Sequence, residues 1–385
     1  MNTQTSKGAL EGITVLDLSR LLPGPYCSMI LADHGARVIM IEDRRFESES
    51  GFPKLTLRNK EHMCLNLKSE EGRALFLKMA AKADVILEGF RPGVVQKLRV
   101  DYESIKAVNP GIIYCSITGF GQTGPLKDRP GHDVNYIAEA GLLSLIGEED
   151  RPPAIPGFQV ADLAGGGMNG VIGILLALHA RERTGLGQYI DISMTDGCAA
   201  LLTLALDFRQ MTGQPLVRSQ SVLSHRYAFY NTYETLDHYY LSLGCLEPRF
   251  WIKLCECLNK QEWISLQFDE AKRFELIESM RIVFKGKTLA EWETIFEGRD
   301  ICWGKVNSLD DMLESPLFKE REMVVDYIKD NGMTSQTLGI PVKLGGTPGS
   351  LRTAPASFGK STESILREFG CSDSDIASFR NINII

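Results

Sequence analysis

Short apolar runs bounded by turn residues alternate with amphipathic stretches along the first half of the chain. ITVLDLS (13–19) reads as a buried strand, Pro-Gly-Pro at 23–25 breaks it, and CSMILADHGA follows as a short helix ending at Gly35. RVIMIED (37–43) is a second strand, which makes a βαβ unit and seeds a parallel sheet. The rhythm continues with strands at MCLNL (63–67), DVILEGF (84–90), GIIYCSIT (111–118) and QYIDISM (188–194). Helices are expected at SEEGRALFLKMAAKA (69–83), with Ser69 as N-cap, at YESIKAVNP, after the glycine-rich DLAGGGMNG (162–170), and at DGCAALLTLALDFRQ. Strands alternating with helices imply an α/β domain.

The texture changes after a polar stretch at 212–226 that reads as a linker. FYNTYETLDHYYLSLGC (229–245) has the β-branched and aromatic content of a hairpin, and FWIKLCECLN, EWISLQF and LAEWETIF are helical. The expectation is a large Rossmann-like α/β domain over 1–211, rejoined by 326–385, and a smaller α+β domain over 227–325. A length of 385 residues suits two such domains, or one with a large insertion.

Composition narrows the function. A net charge of −7 gives no electrostatic support to nucleic-acid binding or to a basic membrane-surface role. The nine cysteines are scattered, with no C-x-x-C pair and only a C-x-C at Cys255 and Cys257, so they read as buried thiols rather than zinc ligands. The N-terminal stretch has no apolar leader, and the longest apolar run, near Val171–Leu178, is too short for a bilayer. A cytoplasmic location, with no membrane partner, is expected.

One motif misleads. GFGQTG (119–124) fits the dinucleotide fingerprint and follows a strand. Pro125 and KDRPGHD follow where an amphipathic helix is required, and no strand ending in an acid lies at the right distance. A tight loop needing glycine backbone angles is the better reading.

Three acid–base candidates stand out: His132 in RPGHDVNY, Asp162 at the head of the glycine-rich run, and Glu247 in GCLEPRFW. Each also has a plain structural reading, as a loop histidine, a helix N-cap, and a first-turn carboxylate favoured by the helix dipole.

The chain resembles the class III CoA-transferase superfamily through LEGITVLDLSRLLPGPYCSMILADHGARVIMIE, LNLKSEEGR, ADVILEGFRPGV, TGFGQTGP, GHDVNYIAEAG, DLAGGGMNGVIGILLAL and GQYIDISMTDG, in that order. GHDVNYIAEAGLLSLIG and LGCLEPRFW are most similar to the α-methylacyl-CoA racemases within it. The resemblance implies a His132–Asp162–Glu247 constellation acting on 2-methyl-branched acyl-CoA thioesters. His132 and Asp162 would be the bases on the two faces of the α-carbon, and Glu247 would hold the His132 tautomer. Backbone N–H groups after Asp162 would receive the enolate oxygen. It implies a coenzyme A site using Arg44 (or its neighbour Arg45), Leu65, Lys68, Gly89, Phe90, Arg91, Lys97, Asp133 and Tyr136. No cofactor or metal is implied beyond the coenzyme A of the substrate, and the partner is a second copy in an interlocked homodimer. Plain transferases share the aspartate as a nucleophile and often carry a glycine-rich loop near GCLEPRFW, which this chain lacks. Transfer of CoA between carboxylic acids through an aspartyl-CoA intermediate is the alternative. LSHRYAFYNTY departs from the small residues and glycine that racemases tend to carry there, so His225 and Arg226 bear on the acyl group accepted.

Overall fold

A computed structural model describes residues 8–49, 53–329 and 331–385. The first seven residues, part of the stretch read as lacking a leader, lie outside them. The chain divides into two compact units. The first takes the described residues of Met1–Ala140, Pro156–Leu201 and Pro316–Ile385, and the second takes Gly141–Ile155 and Leu202–Ser315. These limits differ from the 211, 227 and 325 read from the sequence, and a segment around 150 joins the second unit.

The first unit is built on six parallel strands: β1 (Thr14–Asp17), β2 (Arg37–Glu42), β3 (Lys60–Cys64), β4 (Val85–Glu88), β5 (Ile113–Thr118) and β6 (Tyr189–Ser193). Their spatial order is β3-β2-β1-β4-β5-β6, so the chain reverses its direction of growth between β1 and β4. That order is the doubly wound one, whose ligand crevice lies outside the carboxyl ends of the strands at the reversal. Leu16, Ile39, Met63, Ile86 and Tyr114 are fully buried in one cluster with Phe76, Met79, Ile105, Leu366 and Ile376. Parallel strands covered on both faces need this near-continuous apolar character. The C-terminal helices Thr362–Glu368 and Asp373–Asn381 contribute to the same cluster.

β3 differs from its expected position. It spans Lys60–Cys64 rather than 63–67, because Lys60 and His62 lie inside the sheet despite their polarity. Lys60 Nζ donates to Pro25 O at 2.8 Å and Ser28 Oγ at 2.7 Å, and lies 3.6 Å from Asp17. His62 pairs with Glu42 at 2.9 Å and accepts the Gly359 N–H. Just ahead, Arg58 makes a buried ion pair with Asp33 at 2.6 Å and donates to Thr337 Oγ1, while Asn59 joins Asp33 to Ser350 O. An apolar-pattern argument cannot see a strand whose charges are neutralised by distant partners.

Helical structure runs from Ala161 to Thr184, beginning as a wide π-type turn over Ala161–Met168. By length and composition this segment is apolar enough to cross a bilayer, so the short-run argument does not hold for it. Gly170, Val171, Ile174 and Ala177 face the protein interior, while Met168, Ile172, Leu175 and Leu176 are exposed. The helix expected over 196–210 is two helices, Met194–Ala200 and Thr203–Thr212, which fall in different units. The C-terminal part of the chain also carries an antiparallel pair, Val324–Ile328 with Thr334–Leu338.

The second unit contains the expected hairpin, β7 (Tyr230–Glu234) and β8 (Tyr240–Gly244), extended by a short β9 (Trp303–Lys305). Helices Pro248–Cys257, Arg273–Phe284 and Leu289–Phe296 pack an aromatic core of Phe229, Tyr233, Trp251, Phe284, Trp292 and Phe296.

Arg58→Met leaves Asp33 buried without its cation and should lower stability by about 3–5 kcal/mol, read from the urea midpoint. Arg73→Ala, which breaks an exposed pair with Glu70, should cost less than about 1 kcal/mol.

Candidate active site

The reversal between β1 and β4 opens a cavity of about 390 Å³. Leu18, Arg20 and Leu21 enter it from the end of β1, Glu42, Asp43, Arg45 and Phe46 from β2, Leu65, Leu67 and Lys68 from β3, and Gly89, Phe90 and Arg91 from β4. Arg20 lies 3.5 Å over the Phe46 ring and is tied to Glu42 at 2.8 Å, and Arg45 lies over the same ring at 4.5 Å. Apolar walls with a few cations at the rim suit a planar base bearing phosphates.

The turn after β1 is not a dinucleotide turn. The helix that follows, Pro23–Asp33, has prolines at 23 and 25, which removes two N–H groups from the end where a pyrophosphate would dock. The GFGQTG loop is explained by packing and backbone angle. A Cβ on Gly119 would lie 2.3 Å from the Tyr136 ring, and Gly121 has φ +77°.

Tyr136 connects the cavity to the acid–base groups. It sits in a helix, Asp133–Glu139, inside what reads from sequence as a turn-rich stretch, and its hydroxyl donates to Gly131 O. Arg91, on the cavity wall, acts on the Tyr136 hydroxyl electrostatically, and so do Asp162 and Asp133. Burial, with those acids, raises the Tyr136 pKa despite Arg91.

Asp162 is the second residue of the π-type turn, not its cap. Asp133 Oδ1 accepts the Ala161 N–H at 2.6 Å and the Asp162 N–H at 3.1 Å, which pins the turn's first residues. Burial first, then the Asp133 charge, pushes the Asp162 carboxyl up to about 6, with His132 opposing the shift. A carboxylate near 6 can hold or release a proton close to neutrality, which is what a general base requires. His132 is exposed at the N-cap of the Asp133–Glu139 helix, and its own N–H is held by Asn135 Oδ1 at 3.0 Å. Wide turns of this kind recur at functional sites because they displace a side chain from the regular ladder. Among the described residues no group of His, Cys, Asp and Glu is arranged to hold a metal ion.

Residues 10–362 match the model of CoA-transferase family III. The chain belongs to that family. It is 36% identical over 379 residues to an α-methylacyl-CoA racemase of Mus musculus, covering 98% of this chain and 97% of the relative. It is 32% identical to a succinyl-CoA:glutarate CoA-transferase of Mus musculus, covering 93% of this chain and 86% of the relative. Among solved structures, a CaiB/BaiF family protein of Brucella suis superposes with a TM-score of 0.83 at 29% identity, covering 94% of this chain and all (100%) of that one. As a family III member, the chain is an enzyme acting on acyl-CoA.

The residues expected for this family III site fall into groups. Leu65, Lys68, Gly89, Phe90 and Arg91 line the one cavity. His132, Asp133, Tyr136 and Asp162 cluster by electrostatic contact. Arg44 lines another hollow with Lys360, Arg367 and Arg380, and Arg45 takes the cavity wall in its place. Lys97 is exposed on the Val94–Leu98 helix, outside the residues lining the cavity. Glu247 caps the Pro248–Cys257 helix of the second unit, exposed and near Cys302 and Cys245. Sequence reasoning overlooked Arg20, Phe46 and the buried Glu88 that ends β4. An acid closing an otherwise apolar run was the available signal for Glu88.

Arg45→Ala should weaken CoA binding by roughly 1–3 kcal/mol, and Arg44→Ala by much less, in calorimetric titration. Asp162 also sets a pH trend in stability. Its folded pKa is above its unfolded value, so ionisation is penalised in the folded state. Asp162→Asn should match wild type in melting temperature near pH 4 and exceed it progressively up to about pH 6, then keep that gain.

Proposed function

We propose that the protein racemises 2-methyl-branched acyl-CoA thioesters by moving the α-proton between two bases, without metal or redox cofactor. The observation that carries this reading is Asp162 at the head of the π-type turn, its carboxyl pushed up to about 6 by burial and the Asp133 charge, with the His132 charge opposing the shift. A thioester acidifies its α-C–H through the enolate, and inversion needs one group to remove the proton and another, on the opposite face, to return it. Asp162 as carboxylate and His132 as imidazolium serve one direction, and the reverse protonation states serve the other. Arg91 supports the same reading, because it borders both the cavity and Tyr136 and so spans from the nucleotide end to the reacting carbon. The α-methylacyl-CoA racemase relatives match along nearly the whole chain.

The enzyme would work as a cytoplasmic homodimer. Met168, Ile172, Leu175 and Leu176 form a stripe on one side of the Ala161–Thr184 segment, 42–65% exposed, and a second copy of the chain would cover it. Transfer of CoA between carboxylic acids is the second reading. Transferase relatives at 32% identity support it, and Asp162 would then be the nucleophile. An aspartyl path gives no work to a second base, which favours the racemase reading.

A single enantiomer of a 2-methylacyl-CoA incubated in D2O should gain deuterium at the α-carbon and lose optical purity with no acceptor acid present. His132→Ala and Asp162→Asn should each lower that exchange by about 10²–10⁴-fold. The wild-type rate should rise through about pH 6 as Asp162 ionises. CoA exchange that depends on an added acid, without deuterium uptake, would replace this reading with the transferase.

A further inference from the structure

Glu88 is the last residue of β4 and is 1% exposed. Its Oε2 accepts the Phe90 N–H at 2.7 Å. Ser116, directly across on β5, donates its hydroxyl to the same carboxyl, and the Tyr189 hydroxyl of β6 donates to Ser116 Oγ at 2.9 Å. A row of hydrogen bonds thus runs from the edge of the sheet to this carboxylate and from it to the backbone of Phe90. Gly89, Phe90 and Arg91 come next, and all three line the cavity. The turn that forms one wall of the site is therefore anchored through a single ionisable group.

The surroundings offer that group little charge compensation. Asp191 on β6 opposes its ionisation, and Tyr114 and Cys115 on β5 and Tyr189 on β6 lie near enough to feel it. On β1, Asp17 is engaged by Ser19, Ser28 and Lys60. Burial, opposed by the Ser116 and Phe90 hydrogen bonds, raises the Glu88 carboxyl to about 7. A glutamine could take part in similar hydrogen bonds without the desolvation cost of a charge.

We infer that Glu88 is a positioning residue for coenzyme A: its carboxylate fixes the Gly89–Arg91 turn through the Phe90 N–H, and protonation loosens that turn. CoA affinity then rises as pH increases through neutrality. This deepens the CoA-cavity reading and rests on it. Ionisation strengthens the acceptor for the Phe90 N–H, because hydrogen bonds to a carboxylate are shorter and stronger than those to a neutral carboxyl. An ordered turn binds without the entropy cost of ordering it.

Dephospho-CoA is the probe, since it lacks the 3′-phosphate monoester whose own titration falls near pH 6. Isothermal titration at about pH 6 and about pH 8 should show wild-type affinity about fivefold or more tighter at the higher pH. Glu88→Gln should bind with equal affinity at both, while melting no lower than wild type at the higher pH. Wild-type affinity independent of pH, or the same pH slope in Glu88→Gln, would overturn the proposal; the latter would assign the slope to another group such as Asp162. Dephospho-CoA binding that Arg45→Ala and Arg91→Ala both leave untouched would remove the cavity as the CoA site, and the Glu88 proposal with it.

Discussion

A parallel sheet buried on both faces leaves its strand ends as the place where chemistry can meet solvent. In this enzyme the constraint is strict for the first five strands of the order, β3 to β5, whose residues are almost all buried. The side chains that line the cavity are consequently delivered by the turns that leave β1, β2, β3 and β4. The reversal of strand order at β1 and β4 prevents those turns from packing against one another, and a cavity remains. The same sheet order serves dinucleotides elsewhere. Here prolines at the first helix remove the donors a pyrophosphate would use, and the guanidinium groups of Arg20 and Arg45 lie over Phe46 at the cavity wall.

The burial that shapes the sheet also controls its charges. Lys60 is fully enclosed, and desolvation lowers its pKa more than the Asp17 attraction raises it. Hydrogen bonds to Pro25 O and Ser28 Oγ make the enclosure tolerable. Arg58 and Asn59 on Asp33 hold the segment around 337–350 against the first helix, so two distant stretches of chain are joined through buried polar groups rather than through apolar contact alone. Such pairs are poor sources of net stability but costly to break singly, which makes them specific. The same physics, applied to carboxyls whose burial outweighs the favourable interactions around them, yields the raised acids Asp162 and Glu88.

Close packing governs the surroundings of Asp162. Glycines at 165 and 166 let the π-type turn approach Met194, where a Cβ would lie 2.5 Å and 2.9 Å from its atoms, and the Tyr136 ring lies against Gly119. Small residues therefore bring Asp162, Tyr136 and Asp133 into one electrostatic group, and Asp133 holds the N–H groups that begin the turn. The Ala161 and Asp162 N–H groups are committed to that carboxylate, so an enolate oxygen would draw on donors other than these two.

Pattern and motif determined a good deal by themselves. Alternating apolar runs gave five of the six parallel strands close to their places and the β7–β8 hairpin, because a strand buried on both faces must be apolar throughout and a half-buried hairpin must alternate. Ordered motifs gave the family, and five residues expected at its coenzyme A site, Leu65, Lys68, Gly89, Phe90 and Arg91, line one cavity. Tertiary structure decided what rests on long-range contact. β3 is set by Lys60 and His62 finding partners far along the chain, and Arg45 rather than Arg44 faces the cavity because of how the short turn after Asp43 winds. The acidity of Asp162 and Glu88 belongs to the same class. A residue's hydrophobicity is carried by its own side chain and can be read locally, but the free energy of a buried charge depends on which groups surround it, and those are brought together only by the fold.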